Sequence, residues 1–250
     1  MNHILGIDIG GSGIKGAMVD LEIGQFATDR IRIPTPESFS MEDVANTIAE
    51  IARHFDYQGK IGVGFPAPVR PTDGVVLNPP TAHHYPGWLG NSAADAFGQA
   101  TGCEVTVVND ADAAGLAEMR YGVGKDVMGT VLLFTLGTGV GSVMFRDGVL
   151  IPNTELGKIY MKGHDDVAEL YVAGRIKEEE NLKHSQWGKR LNEYLQYCEL
   201  LFTPHMMIIG GGISKKFDKF SKQFDLKTNT VPAELRNQAG IVGAAVATTL

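Results

Sequence analysis

Positive charge is scarce in this chain of 250 residues. Lys and Arg together number 22 against 29 for Asp and Glu, which gives a formal net charge of -7. Broad nucleic-acid binding needs a basic face, so the balance argues against it, although a local basic groove stays compatible with it. Cysteine is scarce too: Cys103 and Cys198 lie far apart and suggest neither a disulfide framework nor a zinc site. A reducing compartment fits best, with both thiols as small buried apolar groups.

Long apolar runs are also lacking. No window approaches the roughly 18 apolar residues of a membrane span. The first residues, 1–5, enter a short strand without the basic segment of a signal peptide. We therefore expect a cytoplasmic protein with no membrane partner. Apolar residues make up 44% of the chain and charged residues 20%, as in an ordinary globular protein. The length allows one large domain or two lobes of about 110–140 residues each.

Glycine, by contrast, is abundant, and the 31 glycines cluster at a few turns. The first of these turns lies between two predicted strands, Ile4–Ile9 and Ile14–Val19. Its glycines let backbone N–H groups approach an anion closely, Ser12 adds a hydroxyl donor, and Asp8 is suited to holding a magnesium ion or its water shell. The predicted phosphate-binding residues are Asp8, Gly10, Gly11, Ser12, Gly13 and Lys15. A tight hairpin that merely needs glycine is the alternative interpretation.

Two other glycine motifs are excluded at this turn. A Walker A loop ends in Gly-Lys-Ser/Thr and leads into a helix, as a Rossmann turn also does. Here Lys15 precedes Gly16, and the apolar residues that follow read as a strand.

A second strand–glycine turn–strand unit repeats the first. Thr135 falls where Asp8 falls and Gly137 where Gly10 falls, and Thr138 and Gly139 complete the turn. A third glycine cluster, Gly210 to Gly212, follows another predicted strand. The repeat predicts a duplicated two-lobe architecture. We expect an N-terminal lobe of residues 1–108, a C-terminal lobe of 109–235, and a terminal helix of 236–250 that returns to the first lobe. The three turns would then converge on one anionic donor in a cleft, with Gly211, Gly212 and Lys215 among its contacts.

Helices and strands are predicted between these turns from the apolar pattern and from turn residues. The predicted helices are Val44–Phe55, a helix capped by Asn91 that runs to Ala100, one that begins at Asn109-Asp110 and ends at Tyr121, a charged helical stretch Asp165–Phe202, and Arg236–Thr248. The further predicted strands are Ile61–Phe65, Val105–Val108 and Met206–Ile209, and Leu132–Phe145 is predicted as a strand–turn–strand unit. Residues 66–90 are predicted to form a long loop.

Asp110 is the candidate general base, because it lies at the end of a predicted strand beside Asn109. Phosphoryl transfer to an alcohol needs a carboxylate that orients the hydroxyl and accepts its proton. Helix capping is the alternative role, which either Asn109 or Asp110 would satisfy alone. Asp112 reads either as charge in the first helical turn or as a residue that supports the neighbouring site residues. Glu155 follows a predicted hairpin, where it can accept hydrogen bonds from sugar hydroxyls or lie in a solvated loop.

The remaining polar clusters carry less information. His83 and His84 lie in a polar loop without a carboxylate or cysteine at metal-binding spacing. Lys215, Lys216, Lys219 and Lys222 form a basic run after the third glycine cluster. Such a run is usually a solvated helix face, and here it is also suited to guiding a long anionic donor such as polyphosphate.

These motifs resemble those of the sugar kinases of the repressor/open-reading-frame/kinase (ROK) family, within the actin-like ATPase superfamily, and among them the bacterial polyphosphate glucokinases. The similarity extends in order along nearly the whole chain. The matching runs are Gly6–Gly16, Arg30–Pro36, Val63–Pro66, Asn109–Arg120, Pro152–Gly157, Gly210–Lys216 and Arg236–Ala245.

The resemblance implies an α/β, two-lobe actin-like ATPase (ribonuclease H-like) fold with mixed five-stranded sheets flanked by helices. It implies Asp110 as the base, Asn109 and Glu155 on the sugar, and the Asp8 and Thr138 turns on the donor with magnesium. A homodimer is the usual form of the family.

The sugar side departs from the family pattern. Lys158 stands where the family has a histidine that touches the sugar, and Tyr160 replaces an expected glutamate. Ala67 replaces a glycine after Phe65-Pro66, and the loop from Asn78 to Trp88 matches the usual sugar loop poorly. Lys158 either pairs with Glu155 or recognises an acidic or phosphorylated acceptor.

The expected function is therefore a magnesium-dependent sugar kinase that phosphorylates glucose or a close relative from polyphosphate, ATP or both. The alternative is a catalytically impaired or re-specialised sugar-binding sensor, which the altered sugar side motivates. A DNA-binding regulator is disfavoured by the net charge and because no helix-turn-helix segment precedes Ile4.

Overall fold

The computed structural model of the chain describes residues 3–78 and 87–250. In these ranges the strands are β1 (His3–Gly10), β2 (Gly13–Asp20), β3 (Gln25–Phe26), β4 (Ile31–Ile33), β5 (Ile61–Phe65), β6 (Val105–Asn109), β7 (Thr130–Leu136), β8 (Val140–Arg146), β9 (Val149–Ile151), β10 (Met206–Gly210) and β11 (Asn229–Pro232). The α-helices are α1 (Met41–His54), α2 (Ala93–Thr101), α3 (Asp110–Tyr121), α4 (Glu169–Val172), α5 (Gly174–Glu179), α6 (His184–Phe202), α7 (Phe217–Phe220) and α8 (Ala239–Ala247).

Two compact units divide the chain. The first comprises Met1–Ala117 and Gln238–Leu250, and the second comprises Glu118–Asn237. The sequence led us to expect residues 109–235 together, whereas residues 109–117 belong to the first unit. They do so because β6 pairs with β5 and the start of α3 packs in the same layer: the carbonyl oxygen of Ala113 lies directly against Gly243.

Each unit contains one mixed sheet, and the two sheets repeat one topology. The first has the order β3-β2-β1-β5-β6, with β4 also paired to β2, and the second has the order β11-β10-β7-β8-β9. In both, an antiparallel hairpin (β1-β2 or β7-β8) is followed by two parallel neighbours. The duplicated α/β architecture predicted from the glycine turns is therefore present. Five strands per sheet were expected, and the described part of the first sheet holds six because two short segments, β3 and β4, both pair with β2.

The last helix of the chain, α8, packs on the sheet of the first unit at backbone contact distance. It is apolar on every side, and all of its residues except Gly240 are buried. A Cβ atom at Gly6 would overlap the carbonyl oxygen of Ile241, and one at Gly62 would overlap that of Ala244. Only glycine allows such an approach of helix and strand backbones. This packing connects the end of the chain to its first strand.

Local sequence signals explain the element boundaries and three differences from our expectations. Helix α2 is capped by Ser92, whose Oγ accepts from the N–H of Asp95 at 3.0 Å, and not by Asn91. The charged stretch expected as one helical segment, residues 165–202, forms α4, α5 and α6, with a break between the first two at Ala173. The terminal helix begins at Ala239 after a 3-10 turn from Arg236 to Gln238.

The expected loop of residues 66–90 is only partly described. Val69 pairs with Val76 and Val75 with Ser92 as isolated bridges. His83 and His84 lie outside the described residues, as does most of the expected sugar loop. No helix in the described ranges is both long enough and apolar enough to cross a membrane.

Alanine substitutions at two glycines of β5, Gly62 and Gly64, test how α8 packs on the first sheet. We expect Gly62→Ala to lower the stability of folding by about 3 kcal/mol, because the added methyl overlaps the carbonyl of Ala244. The thermal midpoint should fall by roughly 6–12 °C. Gly64→Ala in the same strand is the control, since its methyl would meet Ala113 Cβ at 3.6 Å, an ordinary contact. Equal midpoints for the two variants in differential scanning calorimetry would contradict this account.

Candidate functional site

The first glycine turn is a two-residue hairpin. Gly10 pairs with Gly13 across β1 and β2, so Gly11 and Ser12 form the turn itself. Two side chains hold its carbonyl groups from outside: Thr35 Oγ1 donates to the carbonyl of Gly10 at 2.6 Å, and the Arg32 guanidinium donates to the carbonyl of Ser12. Side chains of the segment 32–35 thus engage two carbonyl groups at this turn.

Gly11 is not required by the conformation of the chain. It does not adopt a left-handed φ, and a Cβ atom built on it would meet nothing within 4 Å. Within the described ranges the N–H groups of Gly11 and Ser12 have no protein acceptor. A tight hairpin alone does not explain a glycine here, because a side chain would fit. The turn has the open N–H surface that an anion needs for a close approach.

Asp8 lies beside this turn between a lysine and the start of a helix. It faces Lys15 directly across the β1-β2 ladder, and Lys15 Nζ donates to Asp8 Oδ2 at 3.1 Å. Its Cγ and Oδ1 lie so close to Gly240 of α8 that a Cβ atom there would be only 3.1 Å away. A carboxylate near a helix N-terminus is electrostatically favoured. Asp8 is thus held in place from two sides.

Asn109 and Asp110 stand at the junction of β6 and α3. Asn109 Oδ1 accepts from the N–H groups of Ala111 at 2.9 Å and Asp112 at 3.3 Å, so this buried amide caps the helix. Asp110, the first residue of α3, is half-buried, and its Oδ1 accepts from Ala111 N at 2.7 Å. Because Asn109 satisfies the helix start, the cap does not require an acid at position 110.

Asp8 and Asp110 lie at the same edge of the first sheet. Asp8 is opposite Gly64 of β5, and Gly64 is opposite Val108 of β6. Two strand spacings, about 10 Å, therefore separate the backbones of Asp8 and Val108. The carboxyl ends of parallel strands are the usual ligand-binding edge of an open α/β sheet.

The second glycine turn belongs to the second unit and is held by the same type of contact. Leu136 pairs with Val140, which leaves Gly137, Thr138 and Gly139 as the turn. Arg175 donates from its backbone N to the Gly137 carbonyl at 3.0 Å and from Nε to the Thr138 carbonyl at 3.3 Å. As at Gly11, a Cβ atom on Gly137 would meet nothing within 4 Å, and its φ is not left-handed.

Glu169 connects this turn to Lys158. Its Oε2 accepts from the N–H of Val140 at 2.9 Å, and its Oε1 accepts from Lys158 Nζ at 2.6 Å. A Cβ atom on Gly139 would lie 2.5 Å from Glu169 Oε2, so a side chain there would displace this carboxylate. The predicted alternatives for Lys158 were Glu155 or an acidic acceptor, and its contact partner is instead Glu169.

Glu155 is positioned by a buried serine. Ser142 Oγ donates to the Thr154 carbonyl at 2.6 Å and accepts from the Leu156 N–H at 2.8 Å. Gly157, two residues after Glu155, packs so closely on β8 that a Cβ atom on it would lie 2.5 Å from the Val140 carbonyl. The segment that carries Glu155 is thereby fixed beside the second turn.

The charges around Glu155 are unequal. Burial raises the pKa of its carboxyl, Lys158 opposes that change, and Glu169 adds to it. With both carboxylates ionised, these three side chains carry one formal negative charge. Tyr160, at the other altered position, is exposed.

The third glycine cluster lies against the second turn. Gly210 pairs with Thr135, which gives Thr135 the position in its sheet that Asp8 has in the first. Gly211 has a left-handed φ of 81°, and a Cβ atom there would lie 2.5 Å from the Leu136 carbonyl. Gly212 borders open space, and Lys215 follows as an exposed side chain. Two of the three predicted turns therefore meet within the second unit.

Sequence reasoning missed several residues that hold these turns. Arg32 and Thr35 belong to a run that matched the family. The sequence signal that could have identified them is the short strand Ile31–Ile33, with its alternating apolar residues, which contains Arg32 and precedes Thr35. Ser142, Glu169 and Arg175 had no comparable signal, because their roles depend on partners that are distant in sequence.

No cluster of three or more His, Cys, Asp or Glu side chains suited to a metal is found in residues 3–78 and 87–250. Magnesium, however, is commonly held by one or two carboxylates together with waters and substrate phosphates. Asp8, half-buried at the sheet edge beside the first turn, fits that pattern. The described residues are thus compatible with magnesium delivered with a phosphate donor.

Comparison with known proteins identifies close relatives. The model of the ROK family matches residues 4–169. A polyphosphate glucokinase of Mycobacterium tuberculosis (strain CDC 1551 / Oshkosh) is 46% identical over 98% of this chain and 91% of its own length. The crystal structure of an inorganic polyphosphate/ATP-glucomannokinase from Arthrobacter sp. strain KM superposes with a TM-score of 0.90 at 42% identity, covering 98% of this chain and 97% of that one. A ROK glucokinase from Streptomyces griseus, 23% identical, shares the fold with a TM-score of 0.83 and 98% coverage of both chains.

The raised pKa of Glu155 predicts a pH-dependent effect of its replacement. A carboxyl with a raised folded-state pKa contributes its stability below the ordinary value of 4.5 and loses it as the pH rises through the folded-state pKa. We therefore expect Glu155→Gln to be more stable than the wild type at about pH 7.5, with the difference shrinking toward pH 4.5. Thermal unfolding at both pH values measures this, and a difference that does not change with pH would contradict it.

Proposed function

The chain belongs to the ROK family, and we propose that it is a sugar kinase that transfers a phosphoryl group from polyphosphate, ATP or both to a hexose hydroxyl. Glucose, converted to glucose 6-phosphate, is the proposed acceptor. The observation that carries the proposal is the pair of glycine turns with arginine-bound carbonyls and open central glycines, in a chain 46% identical to a polyphosphate glucokinase.

The donor is bound by backbone N–H groups and a few polar side chains of the glycine turns. Such groups neutralise phosphate charge without rearranging during the reaction, which is the main requirement of phosphoryl transfer. Lys15 and Lys215 supply positive charge. The proposed donor contacts are Asp8, Gly10, Gly11, Ser12, Gly13, Lys15, Thr135, Gly137, Thr138, Gly139, Gly211, Gly212 and Lys215.

Asp110 is the proposed general base. The acceptor hydroxyl oxygen forms a bond to the terminal phosphorus of the donor, its proton passes to the Asp110 carboxylate, and the bond from phosphorus to the leaving phosphate oxygen breaks. Asn109 supports this role because it caps α3 and so fixes the direction in which Asp110 leaves the sheet. The sugar contact implied by the resemblance is retained as a further role of Asn109.

Magnesium is the proposed cofactor, held by Asp8, directly or through water, together with donor phosphates. When bound, it neutralises charge on the phosphate groups. Lys15 shares the Asp8 carboxylate and keeps it oriented at the sheet edge.

On the acceptor side, Glu155 accepts hydrogen bonds from sugar hydroxyls, and Lys158 lies near it in a site of one net negative charge. Because Lys158 is neutralised by Glu169, an acidic or phosphorylated acceptor finds no unpaired cation there. The proposed acceptor is therefore an uncharged hexose. The name of the Arthrobacter relative, a glucomannokinase, makes mannose a natural second substrate to test.

The remaining features of the proposal are a cytoplasmic location, a homodimer, and no nucleic-acid or membrane partner. The two free cysteines support a reducing compartment. A catalytically impaired sensor was the alternative, and no observation favours it, since Asp110 and both donor turns are intact.

Asp110→Asn tests the base. We expect kcat for glucose phosphorylation to fall by about 10²–10⁴-fold, because the amide cannot accept the hydroxyl proton. Circular dichroism and the thermal midpoint should stay near those of the wild type, since Asn109 still caps α3.

Asp95→Asn is the matched control, because Asp95 is an exposed acid in the first turn of α2 in the same unit. It should retain wild-type kcat. Near-normal turnover of Asp110→Asn in coupled assays with ATP and with polyphosphate would exclude the assigned base.

An acceptor panel tests the charge of the sugar side. We expect glucose to exceed glucose 1-phosphate and gluconate, two anionic compounds that keep a C6 hydroxyl, by about 100-fold or more in kcat/KM, since like charges in a site cost several kcal/mol. Glu169→Gln should narrow that ratio, because it leaves Lys158 without an anionic partner while an amide oxygen still faces Val140 N. A wild-type preference for the acidic sugars would refute the neutral acceptor.

A further inference from the structure

A group of lysines in the second unit includes only one residue, Lys215, that has a role in the function proposed so far. We call Lys177, Lys183, Lys215, Lys216, Lys219 and Lys222 the lysine surface. They come from α5, the start of α6, the turn after Gly212, α7 and the turn that follows α7. Their concentration contrasts with the net charge of -7 of the whole chain.

None of these six lysines forms an ion pair within residues 3–78 and 87–250. Among the acidic residues nearby, arginines engage Glu179 and Glu180, whereas Glu178 of α5 and Asp218 of α7 form no ion pair within the described ranges. Arg175 binds Glu179 through Nη1 at 3.0 Å, and Arg190 binds Glu180 at 2.6 Å. The six lysines therefore outnumber the two unpaired carboxylates in these segments, and an excess of positive charge remains.

Packing brings the lysines from separate elements together. Helix α7 lies on the first turns of α6, where the rings of Phe220 and Trp187 are 4.9 Å apart. The N–H of Leu182 donates to the carbonyl of Lys177 at 2.9 Å, which folds the chain after α5 back toward the start of α6. The pKa of His184, the first residue of α6, is lowered by burial first and then by the charges of Lys177, Lys216 and Lys219. The charges of these three lysines thus all affect the pKa of the same side chain, that of His184.

The position of this charge is unfavourable for the protein alone. Helix α6 has 19 residues and no acidic residue in its first turn, and Lys183 occupies the position before it. Cations at the positive end of a helix are destabilising, whereas anions are favoured there. A bound polyanion would relieve both this repulsion and the repulsion among the lysines.

The lysine surface adjoins the second glycine turn on two sides. Helix α5 begins at the turn, because the backbone N of Arg175 donates to the Gly137 carbonyl, and Lys177 follows two residues later. The segment with Lys215, Lys216 and Lys219 begins at Gly211, which packs on Leu136 just before the turn. Both segments that adjoin the turn therefore carry lysines.

We propose that the lysine surface binds the distal phosphates of an inorganic polyphosphate chain whose terminal phosphates lie at the second glycine turn. The inference rests on the proposed function, and it deepens it by assigning residues that distinguish a long polyphosphate from ATP. ATP has only three phosphates, whereas a long polyphosphate carries additional phosphates that these lysines would bind.

The triple variant Lys177→Gln, Lys216→Gln, Lys219→Gln tests the proposal. We expect its KM for long-chain polyphosphate to rise about ten-fold or more at low salt, with KM for ATP and kcat for glucose within about two-fold of wild type. In a plot of the logarithm of the polyphosphate binding constant against the logarithm of salt concentration, the magnitude of the slope should fall by about 2. Each phosphate contact on a single-stranded polyanion contributes about 0.7 to that slope. The double variant Lys125→Gln, Lys162→Gln, two exposed lysines elsewhere in the unit, is the control for charge number.

Binding titrations with fluorescently labelled long-chain polyphosphate separate this inference from the proposed function. If no donor supports glucose phosphorylation by the wild type, the proposed function fails, while the titration still tests the surface. Unchanged polyphosphate affinity of the triple variant, or a loss equal to that of the control, overturns the inference. So does a variant that loses binding of single-stranded RNA while it keeps its affinity for polyphosphate.

Discussion

The backbone contact between α8 and the first sheet is the constraint on which the first unit depends. Gly6 and Gly62 allow the carbonyls of α8 to touch the strands, so the end of the chain lies on its beginning. That contact places Gly240 against the carboxylate of Asp8, which Lys15 holds from the other side. The central strand and the carboxylate beside the phosphate turn are therefore fixed by residues more than 200 positions apart in the chain.

Both units hold a glycine turn by the same type of contact, but the charged residues beside the two turns differ. In each, the turn follows the central strand of a mixed sheet, and an arginine from outside the hairpin holds its carbonyls. The first turn is accompanied by the ion pair of Asp8 and Lys15, whereas the second has the neutral Thr135 opposite Gly141. The first turn thus has an ion pair at the end of its own strands, whereas the charged pair beside the second turn, Glu169 and Lys158, comes from other segments.

Much of the fold was predictable because local signals coincide with the packing. Strand β5 and helix α3 have their predicted bounds, since the apolar run and the Asn-Asp helix start agree with the tertiary environment. The predicted cap of α2 was wrong by one residue because Asn91 and Ser92 are both good helix caps. Only the direction in which the chain enters the helix decides between them. The unit boundary was misplaced because strand pairing, which keeps β6 and the start of α3 together, is not local information.

The sequence by itself determined the turns, their duplication and the candidate base, because glycine clusters at strand ends and an acid at a helix start are local patterns. Only the tertiary structure decided which groups hold them. Lys158 pairs with Glu169 and not with Glu155, and Arg32 reaches the carbonyl of Ser12. Partner choice depends on distances that packing sets between remote segments, and no local propensity encodes those distances. The glycine turns are therefore readable from the sequence, whereas their charge environment is a property of the fold.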